Sequence, residues 1–146
     1  MSIKRNYKKK LTFNPFLGDF DYITTPRSPV VDVVDSSEPI PISALSVVYY
    51  TGEGEAGLAD ASDLAKSYVA GVTNNAANTG DSMTVVTKGP MSDSNWSWTP
   101  GLPLFVTATG TLTQTPPVAP DNRIQIGHAR SATEMEIQIK EPLGIV

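Results

Sequence analysis

The chain has 146 residues, enough for one domain with a core and too few for two comfortable ones. Apolar residues make up 40% and charged residues 18%, which excludes wholesale disorder, and the absence of cysteine excludes disulfides and thiolate metal sites. The net charge of −4 conceals an asymmetry: Lys4, Arg5, Lys8, Lys9 and Lys10 come before any acid, leaving six positive against fifteen negative residues, or −9, over 11–146.

A basic lead on an acidic body marks a segment that seeks a negative partner. Residues 1–43 read as an extended arm. The Lys/Arg run is followed by Phe13, Phe16, Phe20 and Tyr22, and then by a stretch in which Pro26, Pro29, Pro39 and Pro41 join Pro15 to exclude a long helix. Four aromatics within ten residues are unlike a solvated tail, and they are sized to fill pockets on a neighbouring surface. Phe20–Thr24 is a short strand candidate. The β-branched run Pro29–Val34 is suited to pairing with a sheet edge on the path from arm to domain.

The body is expected to span 44–146 as a small β-barrel or sandwich. Twelve prolines and eleven glycines among many Thr, Ser and Val residues favour short strands joined by tight turns. Ala44–Thr51 is the first strand, closed by the turn Gly52-Glu53-Gly54-Glu55. Leu58–Ala70 is the one helical candidate, with apolar residues near helical spacing, although Tyr68–Val72 reads equally as a strand. Ser82–Lys88 is predicted as a strand and Gly89–Trp98 as a loop. The remainder is a series of strands at turn spacing, Leu104–Thr109, Thr111–Thr115, Arg123–Arg130 and Thr133–Ile139. In the last of these Met135, Ile137 and Ile139 alternate with Glu134, Glu136, Gln138 and Lys140, the pattern of a strand with one wet face.

Chemistry finds little support. His128 is the sole histidine, and neither a catalytic triad nor a multi-histidine metal site is expected within one chain. The carboxylate pairs Asp19/Asp21, Glu53/Glu55 and Asp60/Asp63 sit in no calcium-loop frame, and no phosphate-cradling glycine motif is present. No cofactor and no metal are expected, nor is an enzyme. No stretch approaches the length of apolar chain that spans a bilayer, so no membrane partner is expected. The acidic body would repel the nucleic acid that the basic run attracts, and docking on an acidic protein patch suits both halves better. Trp96 and Trp98, in a Ser-rich loop, are suited either to clamping that loop or to stacking on a sugar.

Two stretches resemble a loose family of bacteriophage virion proteins, the small β modules that decorate capsids or form head fibres. One is the basic lead running into Phe13-Asn14-Pro15-Phe16-Leu17-Gly18-Asp19-Phe20-Asp21-Tyr22. The other is the C-terminal half, with Gly101-Leu102-Pro103-Leu104-Phe105-Val106, Gly110-Thr111-Leu112-Thr113 before Pro116-Pro117, Ile126-Gly127-His128-Ala129 and Glu136-Ile137-Gln138-Ile139. The resemblance implies a non-enzymatic capsid decoration or cement protein on the virion surface, with the major capsid protein as partner and a homo-oligomer, most readily a trimer. A tail-fibre, baseplate or head-fibre component contacting the host is the rival. The residues expected to bind the partner are Lys8, Lys9, Lys10, Phe13, Phe16, Phe20 and Tyr22, the lysines steering and the aromatics anchoring.

Overall fold

The computed structural model describes residues 28–140 and, ahead of them, two short strands, β1 (Phe13–Asn14) and β2 (Asp19–Phe20), which pair antiparallel with Phe13 opposite Phe20. The body is built from β3 (Val30–Ser36), β4 (Val47–Gly52), β5 (Glu55–Leu58), β6 (Val69–Thr73), β7 (Ser82–Ser92), β8 (Pro103–Val106), β9 (Leu112–Thr113), β10 (Gln125–Ala129) and β11 (Glu134–Ile137). The protein is mainly β, and its first five body strands form a closed barrel. The order β3-β5-β4-β6-β7 returns to its start because β7 also pairs with β3. The β-branched run after Pro29 therefore does pair with the sheet. It lies between β7 and β5 as the strand that closes the barrel, inside the 1–43 segment.

Period-two alternation sorts the side chains of each stave. Val34, Val48, Ala56, Met83 and Val85 share one buried cluster with Ile42 and Ala77, which are joined by an isolated β-bridge. The opposite faces of β4, β6 and β7 present Val47, Val72 and Val86 to a second cluster that includes Leu104, Val106, Ile124, Ile126, Met135 and Ile137. The first cluster fills the barrel. The second joins the barrel's outer wall to a sheet layer of β11, β10, β8 and β9 laid against it.

One strand serves both layers. The barrel pairing of β7 with β3 runs to Lys88, and its pairing with β11 begins at Gly89. Gly89 has φ +105°, a conformation that a side chain disfavours, and a Cβ there would press on Pro29. The glycine lets β7 turn from one sheet into the other, and Gly89–Ser92 accordingly belongs to the strand, where the sequence pattern predicts a loop. Gly127 serves a different need: a Cβ on it would collide with the Glu136 carbonyl of the adjacent strand, so only glycine allows β10 and β11 to approach so closely.

The helical candidate divides into three parts. Leu58 ends β5, a single 3-10 turn covers Leu64–Lys66, and Val69 opens β6. Asp63 caps the turn by accepting from the Ala65 N–H at 3.0 Å, and Asp60 accepts from the Ser62 N–H at 2.8 Å. These local bonds favour turns over a continuous helix. Asn122, buried, donates from Nδ2 to the Ala61 carbonyl at 3.0 Å and to Ser67 Oγ at 3.3 Å, which ties the linker to the lead-in of β10. In β11, Met135 and Ile137 are fully buried as the alternation predicts, though the strand ends at Ile137.

Candidate attachment surface

The sheet layer covers only part of the barrel wall. On β4, β6 and β7 the outward valines are buried, whereas on β3 Val31 and Val33 remain 49% and 62% exposed and Val30, at the strand's start, 55% exposed. Covering such side chains is worth about 1 kcal/mol each, half of what full burial of a valine gives. Half-exposed valines side by side on one strand form a patch of the sort that marks contact sites.

The backbone beside this patch is open as well. β3 meets β5 only at Asp35 and Ser36, opposite Glu55 and Ala56. Upstream of these, residues 30–33 pair with β7 on one side and with no described strand on the other. The Val33 N–H turns to the carboxylate of its own neighbour, Asp32, at 2.9 Å, whereas two residues on the Asp35 N–H reaches the Gly54 carbonyl at 2.9 Å. An Asp side chain thus takes the place that a neighbouring strand would fill.

Acids border the edge. Asp32, Asp35, Glu53 and Glu55 are all exposed, and Asp35 faces Glu55 across the short parallel pairing. None of the four makes an ion pair with a described cation. At the barrel mouth the Tyr50 hydroxyl donates to Asp32 Oδ2 at 2.8 Å, joining β4 to the open part of β3. Partial burial, with the hydrogen bond and charge of Asp32 adding to it, raises the Tyr50 phenol above its ordinary value. The surface is apolar along the strand and negative at its margins, suited to a partner that is basic and extended.

Lys8, Lys9, Lys10, Phe16 and Tyr22 lie outside the described residues; Phe13 and Phe20 are partners in the β1–β2 pairing, and their side chains also lie outside the description. The structure brings together Val31, Val33, Asp32 and Tyr50 instead, which the sequence reading did not single out as a site. Their signal was present in Val30-Val31-Asp32-Val33-Val34, where valines on both faces signify a strand buried on two sides or one awaiting a cover.

The remaining candidates fall into structural places. Trp96 and Trp98 stand with ring centroids 5.5 Å apart and planes inclined at 48°, half-buried against the outer cluster. Their loop is pinned to the β10–β11 turn by Asp93 N–H to the Thr133 carbonyl and Trp98 N–H to the Ala132 carbonyl. The Trp98 indole N–H is buried without a partner, so the pair clamps the loop in this arrangement and keeps that donor from any sugar. His128 is half-buried on β10, opposite Glu136. A cleft of about 360 Å³ opens where β7 bends, walled by Pro29, Val86, Pro90, Met91 and Glu134. Among the described residues no group of three or more His, Asp or Glu side chains is placed to hold a metal, and no helix is long and apolar enough to cross a membrane.

No protein-family model matches the sequence, and no curated protein is significantly similar to it.

Proposed function

We propose that this protein is a non-enzymatic structural component of a bacteriophage particle, a capsid decoration or cement protein that docks on the shell through its N-terminal segment. The observation that carries the reading is the continuity between the basic, aromatic lead and β3. The lead enters the barrel through the one stave whose outer valines are uncovered and whose backbone edge is open among the described residues. Lead and strand together offer lysines to steer, aromatics to anchor and a strand edge to extend, on a body small enough to repeat across a lattice. The residues assigned to shell contact are Lys8, Lys9, Lys10, Phe13, Phe16, Phe20 and Tyr22, and the partner is the major capsid protein. Binding to the assembled shell and not to its dissociated subunits would stabilise the particle by linkage.

The test is co-sedimentation with purified shells that lack this protein, comparing the full chain with one lacking residues 1–25. Binding by the full chain alone, near lattice stoichiometry, is the expected result; equal binding by both, or by neither, would refute arm docking. The exposed Ser94, Asn95 and Ser97, on the loop that carries the half-buried Trp96, favour a second reading, a tail or head-fibre part that touches the host. Quenching of Trp96 and Trp98 fluorescence by host surface glycans, with a small copy number per particle, would establish it in place of the first.

A further inference from the structure

We infer that the uncovered stretch of β3, residues 30–33, is a guarded strand-addition site. It takes an extended segment of a partner protein in which a lysine or arginine stands between two apolar residues, and Asp32 is the guard which that segment displaces. The inference goes beyond the reading above, since it holds for any partner that presents such a segment.

The site is short because β5 takes over at Asp35, whose N–H reaches the Gly54 carbonyl. Backbone groups alternate in direction along a strand, so those of Val31 and Val33 point the same way as those of Asp35, away from β7. Among the described residues no strand meets Val31 on that side. The Val33 N–H is held by Asp32 Oδ1 at 2.9 Å. The other oxygen of the same carboxylate accepts from the Tyr50 hydroxyl at 2.8 Å, which fixes the carboxylate over the N–H. A side chain placed in this way satisfies the donor while the edge is empty and blunts it against indiscriminate pairing. It also selects among partners, because an incoming carbonyl must replace the carboxylate at Val33.

The chemistry of the incoming segment follows from the two faces of the strand. On the outer face it lies beside Val31 and Val33, both about half exposed, which favour apolar residues at its alternate positions. On the other face Val34 turns into the barrel, and Asp32, two residues before it, stands at the mouth with Tyr50. The residue between the two apolar ones therefore meets a carboxylate. A lysine or arginine there gives Asp32 a new partner as it leaves Val33. Where the site ends, Asp35 faces Glu55, with Glu53 in the adjoining turn; all are exposed and none is ion-paired with a described cation. Bases flanking the apolar residues gain from these acids as well. The same charges disfavour an acidic segment, and they disfavour β3 of a second copy, which would set Asp32 against acids of its own kind.

The probe is the acetylated and amidated peptide Lys-Val-Lys-Val-Lys, titrated into the full chain and followed through the backbone amide resonances. The expected result is a saturable shift of the Val31 and Val33 amides, with those of Val47 and Val72, beneath the outer layer, unmoved. Glu-Val-Glu-Val-Glu should bind at least about tenfold more weakly, since its charges oppose the acids. Lys-Pro-Lys-Pro-Lys keeps the positive charge but lacks ladder donors at its prolines, and should leave both amides in place. Tyr50→Phe, at a half-exposed position where the change is compatible with folding, frees one oxygen of the guard and should tighten Lys-Val-Lys-Val-Lys binding about two- to tenfold, the worth of one hydrogen bond. Equal shifts from the valine and proline peptides would overturn strand addition and leave only attraction of charge. Absence of any shift in the full chain would overturn it too, and an unchanged or weakened affinity in Tyr50→Phe would overturn the guard. Peptide binding by a chain that fails to bind shells would leave this inference standing and remove the proposed function; shell binding without any peptide effect would do the reverse.

Discussion

The barrel wall carries valines on two sides, and their circumstances differ. Val47, Val72 and Val86, on β4, β6 and β7, are at most 2% exposed beneath the layer of β8 to β11, whereas Val31 and Val33 on β3 stand about half in solvent. Residue type and strand geometry are the same in both places. The difference lies in what the rest of the chain lays over each side, and it shows that a valine-rich strand signals a need for cover without saying where the cover comes from.

The sharpest way to break this comparison is to empty the covered side. Ile126→Ala, at a fully buried position in the outer cluster, should cost about 2–5 kcal/mol in urea denaturation, the range for large-to-small core substitutions. A loss under about 0.5 kcal/mol, the size usual for a surface substitution, would mean that the layer is not packed on the barrel as described. Next in size is Gly127→Ala. Its methyl would meet the Glu136 backbone carbonyl, which cannot step aside as a side chain could, and a destabilisation of about 1–3 kcal/mol is expected from overpacking. An unchanged midpoint would show that β10 and β11 can move apart freely.

The open side answers to milder probes. Ultraviolet titration should place Tyr50 above the usual phenol value of about 10, and Asp32→Ala should bring it down toward that value, the part due to burial remaining. Because the folded protein favours the protonated phenol, this group's contribution to stability is present below the unfolded value and disappears as pH rises through the higher folded one. A Tyr50 titration indifferent to Asp32 would break the link between β4 and the open stretch of β3. Smallest of all, Val33→Thr should shift stability by no more than about 0.5 kcal/mol in a dilute preparation of the chain lacking residues 1–14. A larger loss would show the valine to be covered within its own chain.

Much of the architecture was legible because strand signals are local. Val47–Gly52, the start of β7 at Ser82, Gln125–Ala129 and Glu134–Ile137 all fall within or close to the predicted strands, since β-branched runs bounded by Gly and Pro leave little alternative. The Leu58–Ala70 stretch was harder. Its helical spacing is real, yet Asp60 and Asp63 draw their own backbone into turns, and Val69-Ala70-Gly71-Val72 is taken up by pairing with β4 and β7. The attachment surface was least legible. The sequence directed attention to lysines and aromatics, which lie outside the described side chains, while the edge and the Tyr50–Asp32 bond arise from residues 18 apart that only barrel closure brings together.

By itself the sequence determined that the protein is mainly β, that a basic lead precedes an acidic body, and that alternating strands such as Glu134–Ile137 bury Met135 and Ile137, because composition, charge and period-two patterning act over a few residues at a time. Only the tertiary structure decided that β3 closes a barrel, that Gly89 passes β7 from one layer to the other, and that one side of the barrel is left uncovered. These depend on pairings between distant segments, whose geometry is set when the whole sheet closes and not by any stretch of chain read alone.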